Sequence, residues 1–148
     1  MPETSRSYIV IVDKSKGWRD MIGEMINTTF PDSEIKAFES YDMMEKHMHI
    51  GSMKLIIGDS CAQSGFDFIN FMRITERLNV PLVILSSSEE IAGEMAEEIS
   101  KKGYKMTALH KKGGLEGEAL IKTIKTVVAA ALLKKSGIEQ QEKSPFSN

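Results

Sequence analysis

The sequence predicts an α/β fold: a doubly wound parallel sheet of five strands with helices on both faces. Three observations carry the prediction. Short β-branched runs, apolar at every position, alternate with longer stretches of helical period. The order strand-then-helix recurs five times, which calls for right-handed crossovers between parallel strands. The first apolar run, Tyr8–Val12, is too short for a signal core or a membrane span, so the pattern reads as a globular domain from its first strand.

Each element has its own signal. Tyr8–Val12 (YIVIV), Leu55–Ile57 (LII) and Leu82–Leu85 (LVIL) look like strands covered on both sides. Glu34–Phe38 (EIKAF) is more polar, as an edge strand would be, and Met106–Leu109 (MTAL) is expected at the opposite edge. The first helix begins after Gly17, with Trp18, Met21, Ile22, Met25 and Ile26 on one face. A short second helix spans Tyr41–His49 and carries Met44 and Met48. The third runs from Gly65 to Leu78, closed before Pro81, on the strength of Phe68, Ile69, Met72 and Leu78. Ser88 is the expected N-cap of the fourth, which carries Ile91, Met95 and Ile99 and stops at Gly103. Leu120, Ile121, Ile124, Val127, Val128, Ala131 and Leu132 stripe the fifth. Residues 1–7 read as a flexible leader, 8–135 as one domain and 136–148 as a disordered tail.

Composition narrows the function. The 148 residues carry 19 basic and 21 acidic side chains, a net charge of −2, with 41% hydrophobic and 27% charged residues. That is an ordinary globular balance without the basic excess of a nucleic-acid binder, so no direct nucleic-acid contact and no membrane contact are expected. One cysteine, Cys61, excludes an intrachain disulfide framework, and a cytoplasmic location is the expectation. His47 and His49 have no ligand partner at metal-site spacing and read as surface residues, and the methionines read as core filler.

In a doubly wound sheet, ligands bind beyond the carboxyl ends of the strands. Those ends read Asp13-Lys14-Ser15, Gly58-Asp59-Ser60-Cys61, Ser86-Ser87-Ser88 and His110-Lys111-Lys112. Two carboxylates, a hydroxyl and an ammonium would meet in one crevice, a set suited to handling a phosphoryl group. Asp and Ser also cap helices after strands, so each residue alone is weak evidence. Their joint order along the chain is the stronger sign.

In these residues the chain, from about Tyr8 to Lys134, resembles the receiver domain of two-component response regulators. IVDKSKGWRDMI is similar to the first motif of that family, KLIIGDS to the second, VPLVILSSS to the third and LHKK to the fourth. The resemblance implies a flavodoxin-like receiver fold with strand order 2-1-3-4-5. It also implies Asp59 as phosphoacceptor, Ser86 and Lys111 as its active-site partners, and Ser87 at the adjacent small-residue position. Mg²⁺ would be held by Asp13, Asp59 and the backbone carbonyl of Cys61. The function implied is that of a receiver without an output domain, a phosphoprotein rather than an enzyme. It would take its phosphoryl group from a histidine kinase or phosphotransfer protein and signal to a downstream protein through the face formed by helix four, strand five and helix five.

Four departures shape the expectation. Lys14 replaces the second acid of the strand-one pair, so Mg²⁺ binding should be weak. The loop after Asp59 reads SCAQSG, with its glycine about two residues early, and should be short. Lys112 follows Lys111 where the family has proline, which argues against its cis peptide. Ala108 takes the place of the strand-five aromatic, with Tyr104 nearby but out of position. These departures favour an alternative, a pseudo-receiver that interacts without phosphorylation and in which Lys14 pairs with Asp59 or Asp13. Lys101, Lys102, Lys105, His110, Lys111 and Lys112 would form a basic docking patch. A flavin carrier would want a Ser/Thr/Gly-rich loop where DKSKGW stands. A phosphatase with an Asp nucleophile would want a second acid where Ser15 stands.

Overall fold

The computed structural model describes residues 7–112 and 118–143. Its elements run β1 (Tyr8–Val12), α1 (Lys16–Thr29), β2 (Glu34–Phe38), α2 (Tyr41–His47), β3 (Met53–Asp59), α3 (Phe68–Arg77), β4 (Leu82–Ser86), α4 (Glu89–Lys102), β5 (Thr107–His110) and α5 (Glu118–Lys143). The five strands lie in the order β2-β1-β3-β4-β5, every neighbouring pair parallel. This is the doubly wound sheet expected from the sequence, with the polar EIKAF strand at one edge and β5 at the other.

The pleat sorts the core into two layers. Val10, Val12, Ile56, Leu82 and Ile84 face α2, α3 and α4, where they pack on Met44, Met72 and Met95. Their strand neighbours Ile9, Ile11, Leu55, Ile57, Val83 and Leu85 face Ile22 and Ile26 of α1 and Ile124 and Val128 of α5. Side chains on successive strand residues point to opposite faces, so only a run apolar at every position can feed both layers.

The helices begin where side chains can cap them. Ser15, Ser40, Asp67 and Ser88 accept hydrogen bonds from Trp18, Met43, Asn70 and Ile91 respectively. Several boundaries differ from expectation: α1 starts at Lys16, and β3, β4 and β5 run Met53–Asp59, Leu82–Ser86 and Thr107–His110. The third helix starts at Phe68 rather than Gly65, because Gly65 takes a left-handed conformation (φ 74°) and Asp67 is the cap. The second ends at His47, and a 3-10 turn at Ile50–Ser52 leads into β3. The tail expected from Ser136 begins inside α5, which continues to Lys143 through a segment rich in straight-chain residues of good helix propensity. Residues 144–148, and nearly all of the expected leader, lie outside the described residues.

Candidate functional site

The carboxyl ends of β1, β3 and β4, with the residue after β5, converge on one pair of buried carboxylates. Asp13 follows β1 and Asp59 ends β3; they are 2% and 5% exposed. The register sets Val12 beside Gly58 and Asp59 beside Leu85, so the two acids leave adjacent strands at the same level. Lys111 reaches the same level because its amide donates to the Ser86 carbonyl at 2.7 Å, extending the β4–β5 pairing by one residue.

Lys111 bridges the two acids. Its Nζ, on a side chain 5% exposed, donates to Asp13 Oδ2 at 2.6 Å and to Asp59 Oδ2. The remaining oxygens are taken by backbone amides: Ser15 donates to Asp13 Oδ1 at 2.9 Å, and Cys61 to Asp59 Oδ1 at 2.6 Å. Burial holds the Asp13 carboxyl above its ordinary value, against the lowering pull of Lys111 and the Ser15 amide, while the Asp59 charge adds to the rise. The site is a single buried cation shared by two anions.

Residues outside the predicted set complete it. The Trp18 ring lies under the Lys111 ammonium, 4.5 Å from its centroid. Arg19 donates to the Asp13 carbonyl at 2.8 Å. The Tyr41 hydroxyl donates to the Asp59 carbonyl at 2.9 Å. Trp18 and Tyr41 sit at helix positions that also suit core packing, and this masks a site contact in the sequence.

Other predicted residues fall differently. Ser86 is fully buried at the end of β4, and its hydroxyl accepts the Ser88 amide at 3.1 Å, shaping the turn into α4. Ser87 is exposed, and its carbonyl contacts the His110 ring at 3.3 Å. Lys14 is exposed, and the pairing assigned to it in the pseudo-receiver alternative is made by Lys111 instead. Lys14 follows a buried residue as the chain leaves the sheet, whereas Lys111 is drawn inward by the strand pairing. Lys111 therefore drops out of the basic patch, while Lys101, Lys102, Lys105 and Lys112 are exposed. Cys61 is exposed, with its thiol 3.6 Å from the Ser60 hydroxyl. The Lys111–Lys112 peptide is trans.

The donor set does not fit a tightly held Mg²⁺. It consists of two carboxylates, whose four oxygens already accept hydrogen bonds, and the Cys61 carbonyl, with an ammonium between the acids. Among the described residues no group of three or more His, Cys, Asp or Glu side chains could hold a metal ion. A compact octahedral cation has to displace that ammonium before it reaches both acids.

No protein-family model and no curated protein matches the chain. Solved structures do match in fold. The signal receiver domain of a DNA-binding response regulator from Colwellia psychrerythraea 34H is 22% identical, with a TM-score of 0.62 over 84% of this chain and 99% of that one. An adenylate cyclase structure from Rhodopirellula baltica is 15% identical, with a TM-score of 0.65 over 97% of this chain and 99% of that one. A chain from the complex of the P1 domain of CheA3 with CheY6 of R. sphaeroides is 22% identical, with a TM-score of 0.51 over 84% of this chain and 97% of that one. In architecture, strand order and extent, the chain has the fold of the receiver domains of response regulators.

Proposed function

We propose that the chain is a phosphorelay receiver that accepts a phosphoryl group on Asp59. The observation that carries this reading is the buried Asp13–Lys111–Asp59 bridge at the carboxyl end of the central strands. A carboxylate so placed is an oxygen nucleophile, and the neighbouring ammonium offsets charge as a phosphoryl group approaches. In the transfer, an Asp59 oxygen forms a bond to phosphorus while the phosphorus–nitrogen bond of a phosphohistidine breaks. The electron pair returns to the imidazole, which takes up a proton. Lys111 would then follow the new phosphoryl oxygens, and the Ser86 hydroxyl would turn from Ser88 to meet one of them. Mg²⁺ binding here would be weak, because the Lys111 ammonium already lies between the two acids.

The donor would be a histidine kinase or a phosphotransfer protein. The fold match to a complex of a CheA P1 domain with a CheY protein supports a partner of that kind. Added charge of about −1.5 to −2 at Asp59 would alter affinity for a downstream protein at the face of α4, β5 and α5. Lys101 and Lys102 at the end of α4, with Lys105 and Lys112 on either side of β5, are exposed there beside the glutamates of α4. No described helix is long and apolar enough to cross a membrane.

A second reading, an interaction module that works without phosphorylation, is favoured by one observation: every oxygen of the two acids already has a donor. Incubation with acetyl phosphate, with and without Mg²⁺, separates the two by intact mass. A phosphoryl adduct lost in Asp59→Asn supports the receiver. No adduct in either condition favours the interaction module.

A further inference from the structure

The side of the sheet that carries α2 and α3 holds a contact set that the phosphoacceptor reading does not use. Tyr41, the first residue of α2, is fully buried, and its hydroxyl donates to the Asp59 carbonyl. The same carbonyl accepts the Ala62 amide at 3.2 Å, closing the first turn of the loop that follows the acid. The Tyr41 ring stacks on Phe66 in that loop, with centroids 4.3 Å apart and planes 4° from parallel. It also meets Phe68 edge-on at 5.6 Å and Phe71 at 5.1 Å. Next along α2, the Asp42 amide donates to the Gln63 side chain at 2.6 Å. Two consecutive residues of α2 therefore grip a loop that starts at Asp59.

Gly58 makes room for this grip. A Cβ at position 58 would stand 2.1 Å from the Tyr41 hydroxyl oxygen and 3.1 Å from the ring carbon that bears it. A side chain at 58 and a tyrosine at 41 thus exclude each other. Burial, reinforced by the charges of Asp59 and Asp13, holds the Tyr41 phenol well above its ordinary value, so the hydroxyl stays a donor. On β5, by contrast, Ala108 offers only a methyl group at the sheet edge.

We infer that Tyr41 is a positioning residue for Asp59, fixing the backbone that aims its carboxylate and passing any change there to α2 and residues 60–67. The chemical half of this inference rests on Asp59 being the acceptor; the positional half does not. The carboxylate is tied to the same loop through the Cys61 amide. A phosphoryl group that disturbs this bond disturbs the turn that Tyr41 and Ala62 close, and Phe66 moves with it.

Tyr41→Phe keeps the ring and removes the hydroxyl. In the unmodified protein, amide hydrogen exchange at residues 60–62 should quicken about fivefold, the factor set by one hydrogen bond of ordinary net strength. Exchange at Ile22–Ile26, on the opposite face of the sheet, should stay within about twofold of wild type. No change at 60–62, or an equal rise at both places, overturns the inference. With acetyl phosphate, the variant should show a maximal rate of Asp59 modification lowered about fivefold at an unchanged half-saturating concentration. An unchanged maximal rate overturns the chemical half. If wild type forms no adduct, the acceptor reading and the chemical half fail together, and exchange alone decides the positional half. Gly58→Ala provides an independent check: its loss of thermal stability should shrink when Tyr41→Phe removes the colliding oxygen. Strict additivity of the two substitutions contradicts the close approach.

Discussion

Lys111→Met tests the site's electrostatics. The substitution keeps an unbranched apolar stem over Trp18 and deletes the ammonium that both acids share. Asp13 and Asp59 are 2% and 5% exposed, so neither can recover its lost partner from bulk water. Removing one member of a buried ion pair costs about 3–5 kcal/mol, and this cation serves two anions. Part of that cost is absorbed when one acid takes up a proton, each unit of pKa rise being worth ~1.4 kcal/mol. A loss of about 3–5 kcal/mol at neutral pH follows, a large share of the 5–15 kcal/mol typical of a domain. The pH dependence has a fixed sign. Asp13 already sits above its ordinary value in the folded protein and loses the lowering pull of Lys111 in the variant, so the deficit is absent below the ordinary carboxyl range and grows as pH rises through the raised Asp13 value. Urea unfolding followed by circular dichroism at about pH 4.5 and pH 7 measures both parts. Adding Asp13→Asn to Lys111→Met should recover a portion at pH 7 by relieving the repulsion. A loss under about 1 kcal/mol at pH 7, or an equal loss at both pH values, would refute the reasoning.

Three further expectations are simpler. Lys14→Asp supplies a third carboxylate and should raise Mg²⁺ affinity at least about tenfold by titration calorimetry; unchanged affinity would mean that Lys14 does not limit metal binding. Ser88→Ala removes the cap of α4 and should cost about 1 kcal/mol in urea unfolding, and a neutral result would assign the cap no energetic role. Burial raises the wild-type Asp13 carboxyl above 3.8, so its contribution is complete below that pH and is lost as pH climbs through the folded value. Relative to Asp13→Asn, wild type should therefore lose stability as pH rises from the ordinary carboxyl range through the raised Asp13 value, and a flat difference would contradict the assigned direction.

The fold was legible because runs such as YIVIV and LVIL are apolar at every position, a pattern that a sheet covered on both faces requires. The edges were legible for the opposite reason, since EIKAF mixes charge into its strand. Boundaries shifted where a local cap outweighed the periodic pattern. Gly65 lies inside an apparent helical stripe, but its left-handed backbone and the Asp67 cap delay α3 to Phe68. The placement of Asp13, Asp59, Ser86 and Lys111 at neighbouring strand ends was legible because strand ends in a parallel sheet share one edge. Which lysine fills the crevice was not, because Lys14 and Lys111 both adjoin strand ends and only the β4–β5 hydrogen bonding turns Lys111 inward. Tyr41 was the hardest to see. Its role depends on the missing side chain of Gly58, some seventeen residues away in sequence and in contact only after folding.

The most direct test of the account asks where a phosphoryl group goes. The protein is incubated with acetyl phosphate or a phosphorylated histidine-containing transfer protein, then reduced with borohydride, which converts an acyl phosphate to an alcohol. Peptide mass spectrometry locates the converted residue. Conversion is expected at Asp59, with none at Asp13 and no signal in Asp59→Asn. Conversion at another residue, or none with either donor, would contradict the account.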